Sequence, residues 1–353
     1  MTMSDLGRST DAYQAFVLGT KLYWTRELYP ALKSKHETKA RTRGVPSDVD
    51  EVAKRFSGDD DYAYFAWFER HLQRMKYSGR YGLVPAHEPL REAWERTLTQ
   101  DFARDLLALN PDLDIPKHFT AVDIHQHPGG VCGDSLAGVV YERGARTTTP
   151  LMRRDLDLHY RLVDAAKSYV TPQRIADLGC GFGKSTRPFY QEFPDVKIDG
   201  VDLSEPCLRL AAFTASQDQA TNVHYHQATA QETGLSSSEY NLVTSTMTLH
   251  EMPPPAVEAM VEETYRLLGD GGYVVHLDFL ADEDPFNRFI HYGHSKRNNE
   301  PYMPPLNEMD IVGLHERVGF KDVQVLPFEE FPGALDASNV NWRFPWALVV
   351  ARK

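Results

Sequence analysis

The order of apolar and polar positions divides the chain into two stretches of different character. From about Ser9 to Asn110 apolar residues recur three and four apart, the spacing of helices with one buried face. The segment "TDAYQAFVLGTKLYWTRELYPALK" keeps that spacing until Pro30, which predicts an interruption there because proline lacks a donor N–H. "DDDYAYFAWFERHLQRMKY" begins with acids and ends with bases, as the helix macrodipole favours. "EPLREAWERTLTQDFARDLLALNP" repeats the arrangement and predicts a helix ending before Pro111. The aromatic stripes of these helices read as core, and the basic run 33–44, "KSKHETKARTRG", reads as a solvated loop.

Residues 111–150 change character: "VDIHQHPGGVCGDSLAGVVYERGARTTTP" reads as strand-like pieces joined by Pro-Gly and Gly turns. A helix is then expected over Arg153–Tyr169. Beyond it the periods alternate, predicting strands at Arg174–Leu178, Lys197–Asp202, Asn222–Gln227, Tyr240–Thr246 and Tyr273–Phe279. Helices fit between them at Lys184–Phe193, Glu205–Gln219 and Pro255–Leu268. Such alternation predicts a doubly wound, mostly parallel α/β sheet. The segments 320–328 and 345–353 have no helix between them and are expected to pair antiparallel at one edge. The division is thus a mostly helical N-terminal domain, 1–150, and an α/β domain, 151–353.

Composition narrows the function. The 353 residues are 42% hydrophobic and 25% charged, ordinary values for a globular protein. Three cysteines, Cys132, Cys180 and Cys207, are too few and scattered for a disulfide framework. No secretory signal or membrane span is visible, so a cytoplasmic protein without membrane partners is expected. Of the net charge of −12, residues 1–150 contribute −1 (20 basic, 21 acidic) and the remainder −11. That acidity argues against a nucleic-acid partner.

The chemistry concentrates in "RIADLGCGFGKST" (174–186), a strand entering a turn with glycines at alternate positions. Such a turn brings backbone N–H groups close to a ligand. It lacks the Gly-x4-Gly-Lys spacing of a phosphate loop, and the G-x-G-x-x-G of a hydride cofactor is also absent. Asp202 ends the next strand, 25 positions after Asp177, where a carboxylate can accept both hydroxyls of a ribose. A nucleoside cofactor with a cationic amino-acid tail and no phosphate fits the two acids.

"ADLGCGFGKST", "IDGVDLSEPCL", "YNLVTSTMTLHEM" and "RLLGDGGYVVHLDF" together resemble the successive motifs of class I S-adenosylmethionine-dependent methyltransferases, over about residues 155–353. The resemblance implies a Rossmann-like, seven-stranded sheet with its last strand antiparallel, and S-adenosyl-L-methionine as cofactor. It implies that Asp177, Gly179, Cys180 and Gly181 line the methionine moiety, that Asp202 binds the ribose, and that Leu203 flanks the adenine. Thr229 stands where an aspartate is common, with Ala230 and Gln231 beside it, and Thr246 faces the methionine end.

The acceptor is less constrained. His250, in "TLHEM", is a candidate base, whereas Glu251 reads as a surface or helix-start residue. His125 and His127 would share one face of a strand; they are candidate bases, structural residues or, with Cys132, metal ligands, and no metal site is assigned. Arg146 offers a weak contact to an acceptor carboxylate. The insertion 281–308 reads as a long polar loop or lid, with Tyr292, His294 and Arg297 as candidate acceptor ligands. The function expected is methyl transfer to a heteroatom (O, N or S) of a small-molecule acceptor, with a homodimer as one option. The alternatives are C-methylation of a quinone-like ring and a non-catalytic cofactor-binding module.

Overall fold

The computed structural model describes residues 6–100, 105–152 and 156–353. Helices α1 (Arg8–Tyr23) and α2 (Tyr29–Arg43) are joined without a break by a π-helical turn, Trp24–Leu28. Pro30 therefore does not end the helix: the wider turn absorbs the missing donor, a common role of π-bulges. For the same reason the basic run 33–44 lies mostly on α2 and is not a loop. Next come α3 (Val49–Phe56), α4 (Asp60–Tyr77), α5 (Leu83–His87) and α6 (Arg91–Leu98). Asp59 caps α4 by accepting from the N–H groups of Asp61 and Tyr62.

The helix expected to reach Asn110 stops earlier. Leu107–Ala108 is instead a two-residue strand, β1, and residues 101–104 of that expectation lie outside the described residues. The short helix α7 (Lys117–Thr120) follows, then α8 (Ala137–Ala145) and α9 (Asp157–Lys167), which ends two residues before the expected Tyr169, while residues 153–155 of that expectation lie outside the described residues. The remaining elements alternate: β2 (Arg174–Leu178), α10 (Thr186–Glu192), β3 (Lys197–Asp202), α11 (Glu205–Gln217), β4 (Val223–Gln227), β5 (Tyr240–Thr246), α12 (Pro254–Leu267) and β6 (Leu268–Phe279). Helices α13 (Pro285–Asn298), α14 (Met303–Asn307) and α15 (Ile311–Val318) precede β7 (Lys321–Pro327) and β8 (Trp346–Arg352).

The sheet order is β1-β4-β3-β2-β5-β6-β8-β7. β8 runs antiparallel to both neighbours and every other pairing between the described strands of the sheet is parallel, as the helix-free final pair predicts. The eighth strand is β1, which the N-terminal stretch adds beside β4 with Leu107 opposite Tyr225.

The helical stretch packs directly onto the sheet. One apolar cluster includes Trp24, Leu32 and Phe65 together with Phe279, Phe286 and Trp346. Trp24 stacks on Phe65 and meets Trp342 edge-on at 4.9 Å. Where α8 crosses α11, Gly138 is needed for close approach: a Cβ there would lie 2.3 Å from the Pro206 carbonyl oxygen.

Candidate active site

Above the C-terminal ends of β2, β3 and β5, the helical stretch roofs a cavity. Its floor is the glycine turn. Gly179 has φ +71°, and a Cβ on it would sit 2.4 Å from the Thr248 side chain, so only glycine fits. Gly181 also has positive φ, with open space where a side chain would be.

Gly179, Cys180, Gly181, Asp202 and Leu203 line the cavity, as do Ala230, Gln231 and Thr246. Asp202 accepts the Gly181 N–H at one carboxylate oxygen and the Ser204 N–H at the other, both at 2.8 Å. Four lone-pair directions are available to a carboxylate, so each oxygen retains capacity for a ligand hydroxyl. The buried Thr246 hydroxyl has no partner among the described residues.

Two expected contacts are placed differently. Asp177 lies beneath the lining, fully buried, with Oδ2 accepting the hydroxyls of Ser185 (2.7 Å) and Thr186 (2.6 Å). Its Oδ1 is buried with no partner among the described residues, and burial pushes the carboxyl up to about 6. Thr229 is off the lining, and its hydroxyl accepts the Glu232 N–H.

The cavity is also lined by His125, His250, His294, Glu251 and Glu300, with Asp278 and Glu69 behind the histidines. Asp278 Oδ1 is 2.5 Å from His250 Nδ1, and Asp278 also accepts the N–H groups of Leu249 and Phe279. Glu251 Oε1 lies 3.5 Å from His250 Nε2 and 3.1 Å from His125 Nε2. His125 Nδ1 is 2.8 Å from Glu300 Oε1. His294, also on the wall, is 2.5 Å from Glu69 through Nδ1, and Glu69 pairs in addition with Arg297.

Electrostatics sets the charge states. Burial opposes the charged form of His125, but Glu251 and Glu300 outweigh it and carry the imidazole up to about 9. Burial likewise opposes a charged His250, and Asp278 raises it well above the usual range. Burial also works against a charged Glu251, yet His125 and His250 hold its carboxyl well below the usual carboxylate range.

Several expectations about acceptor residues change here. The strand expected at "DIHQHPGG" is a 3₁₀ turn with His125 and Gln126 both at positive φ, so His125 and His127 share no face. His127 is outside the lining, stacked on Tyr77 at 4.7 Å, and burial lowers its pKa to about 4. His125 reaches the cavity, but as an imidazolium at neutral pH rather than the neutral base expected.

The segment 281–308 is mainly helical, because its polar residues find buried partners. His294 lines the cavity, Arg297 packs behind it against Glu69, and the Tyr292 hydroxyl donates to Glu308 away from the site. Arg146 pairs with Glu142 on its own helical turn. Glu251, expected at the surface, is the residue the sequence reading missed; its place directly after His250 was the available signal.

The sequence from 175 to 272 matches the family model described as a methyltransferase domain. It spans the glycine turn, Asp202 and His250 in the order found around the cavity. Residues 175–272 thus form a methyltransferase domain of the class I, S-adenosylmethionine-dependent kind.

An uncharacterised methyltransferase of Synechocystis is 30% identical over 106 residues, which cover 30% of this chain and 47% of that protein. Phosphoethanolamine N-methyltransferase 2 of Haemonchus contortus, solved with S-adenosyl-L-methionine, shares 20% identity with a TM-score of 0.42, over 55% of this chain and 52% of that one. A Nostoc punctiforme protein provisionally titled an O-methyltransferase aligns over 98% of this chain and 97% of its own, at 16% identity and a TM-score of 0.48. The methyltransferase chain thus spans about half the length of the first two.

S-adenosylmethionine is the cofactor of this family, and the cavity's residues fit it. The glycine turn leaves room for a backbone-close ligand, Asp202 keeps acceptor capacity for hydroxyls, and Thr246 presents an unpartnered hydroxyl.

Proposed function

We propose that this methyltransferase modifies a heteroatom of a small-molecule acceptor held between the helical roof and the sheet. One observation carries the reading: the cofactor turn and the acid–histidine wall open onto the same cavity. When bound, the cofactor supplies an electrophilic methyl group on a sulfonium.

The protein's part is to place an acceptor lone pair in line with that methyl and to manage the acceptor's proton. Glu251 is suited to this. Its Oε2 is buried without a partner among the described residues, while Oε1 is anchored between His125 and His250. An O–H or N–H on the acceptor would donate to Oε2, turning the heteroatom's lone pair toward the cofactor. His250 is a positioning residue: Asp278 fixes its ring, and its Nε2 fixes Glu251. The lining as a whole is mainly apolar, and what favours a heteroatom over a ring carbon is Glu251 between His125 and His250, a hydrogen-bonding partner that a ring carbon does not need.

The test is calorimetry with S-adenosylhomocysteine, followed by methyl transfer from labelled S-adenosylmethionine across small hydroxyl, amine and thiol acceptors. Cofactor-product binding with turnover on one of these classes supports the reading. Absence of cofactor-product binding would sink it.

A further inference from the structure

We propose that Lys21 and Lys76 form an anion-binding subsite in the roof of the cavity, so that the methyl acceptor carries an acidic group, a carboxylate or a phosphate. The inference rests on the methyltransferase reading and names the substrate class of that site.

Both lysines line the cavity. Lys76, on α4, is 3% exposed, and its Nζ donates to the Gly144 carbonyl at 3.3 Å. Lys21, on α1, is half-buried, and its Nζ donates to the Thr148 carbonyl at 3.4 Å. Among the described residues neither has a carboxylate within ion-pair distance. An ammonium has three donors and each of these uses one, so both lysines keep donors for a ligand.

The neighbouring charges sharpen the point. Glu69 is matched by Arg297 and His294, Glu300 by His125, Glu251 by His125 and His250, and Asp278 by His250. Glu300, Glu251 and Asp278 share two imidazoles, and none of the four carboxylates pairs directly with either lysine; Glu300 acts on both lysines only at longer range. Burial, and the proximity of Lys21, lower the pKa of Lys76 far below its usual value; Glu300 opposes this. Two ammonium groups held close together in a buried space disfavour each other unless an anion joins them. Thr148 and Thr149, also on the lining, add hydroxyl donors of the kind that complete a carboxylate or phosphate site.

The competing reading is that the lysines serve only to tie down the C-terminal end of α8, where Lys76 reaches Gly144, and the turn after it, where Lys21 reaches Thr148. The two readings diverge in a binding experiment. The full chain is loaded with S-adenosylhomocysteine and titrated with malonate, with its neutral counterpart malonamide and with inorganic phosphate, at constant ionic strength. Binding of malonate or phosphate at least tenfold tighter than malonamide is expected, and the tighter anion identifies the group.

The preference should fall below twofold in both Lys76→Met and Lys21→Gln, with S-adenosylhomocysteine affinity held within twofold. Lys21 is less buried than Lys76, so the second variant guards against a folding defect in the first. Equal binding of malonamide and the anions, or a preference that survives in both variants, overturns the subsite while leaving the methyltransferase reading intact. Failure of the parent to bind S-adenosylhomocysteine overturns both.

Discussion

His125 Nε2 lies 3.1 Å from Glu251 Oε1, joining a strained turn before α8 to the loop that follows β5. This contact ties the helical roof to the sheet through a charge that depends on pH. The folded pKa of His125 is raised to about 9 from an ordinary 6.5. The folded state therefore binds the proton more tightly than the unfolded chain, and stability from this group is fully present below pH 6.5. It is lost as pH rises from 6.5 through 9. Urea denaturation of the parent and of His125→Ala at pH 6 and pH 9.5 should show the gap between them narrowing at the higher value. A constant gap would mean that His125 is not charged in the fold.

Cofactor affinity should depend on Asp202 and Gly179 for different reasons. Asp202→Ala removes the acceptors for ligand hydroxyls and for the Gly181 N–H that shapes the turn, which should weaken S-adenosylmethionine binding by about 1–3 kcal/mol. Gly179→Val should be worse, since its side chain would meet Thr248 in a backbone region disfavoured for valine. Calorimetry with both variants measures this. Parent-like affinity in both would move the cofactor elsewhere.

The parts legible in the sequence were those set by local period. Alternation of strand and helix gave the parallel sheet, and the missing helix between 328 and 345 gave the antiparallel edge. The glycine turn and Asp202 were readable because a tight turn and a strand end are local events. What escaped depended on distant partners. α13 looked like a polar loop because Glu69, which neutralises His294 and Arg297, lies 225 or more positions earlier. Glu251 looked exposed because His125 covers it only after the roof folds over. Pro30 looked like a stop because a π turn leaves little trace in a hydrophobic pattern.

The buried pairing of Glu69 makes a strong prediction about α13. Burial works against its charge, but Arg297 and His294 hold its carboxyl near 2. Glu69→Gln would leave Arg297 buried without a countercharge and should destabilise the fold by about 3–5 kcal/mol. Hydrogen exchange should show 285–298 protected in the ligand-free parent and exposed in the variant. Rapid exchange of that segment in the parent would restore the mobile-lid reading of 281–308.

Replacing Lys76 should have the opposite sign. Its burial disfavours the ammonium in the fold, so between the lowered folded pKa and the ordinary 10.5 the unfolded chain binds more protons. Stability of the parent therefore rises with pH across that window, and the lysine costs stability at neutral pH. Lys76→Met keeps the buried stem and removes the charge. It should stabilise the ligand-free protein at pH 7. The gain should shrink as the pH approaches 10.5, because the cost of giving up the proton on folding falls as the pH nears the unfolded lysine's own value. Chemical denaturation at pH 7 and pH 9.5 measures both trends. A loss of stability at pH 7 would show that the bond to Gly144 outweighs the buried charge and that Lys76 belongs to the scaffold of α8.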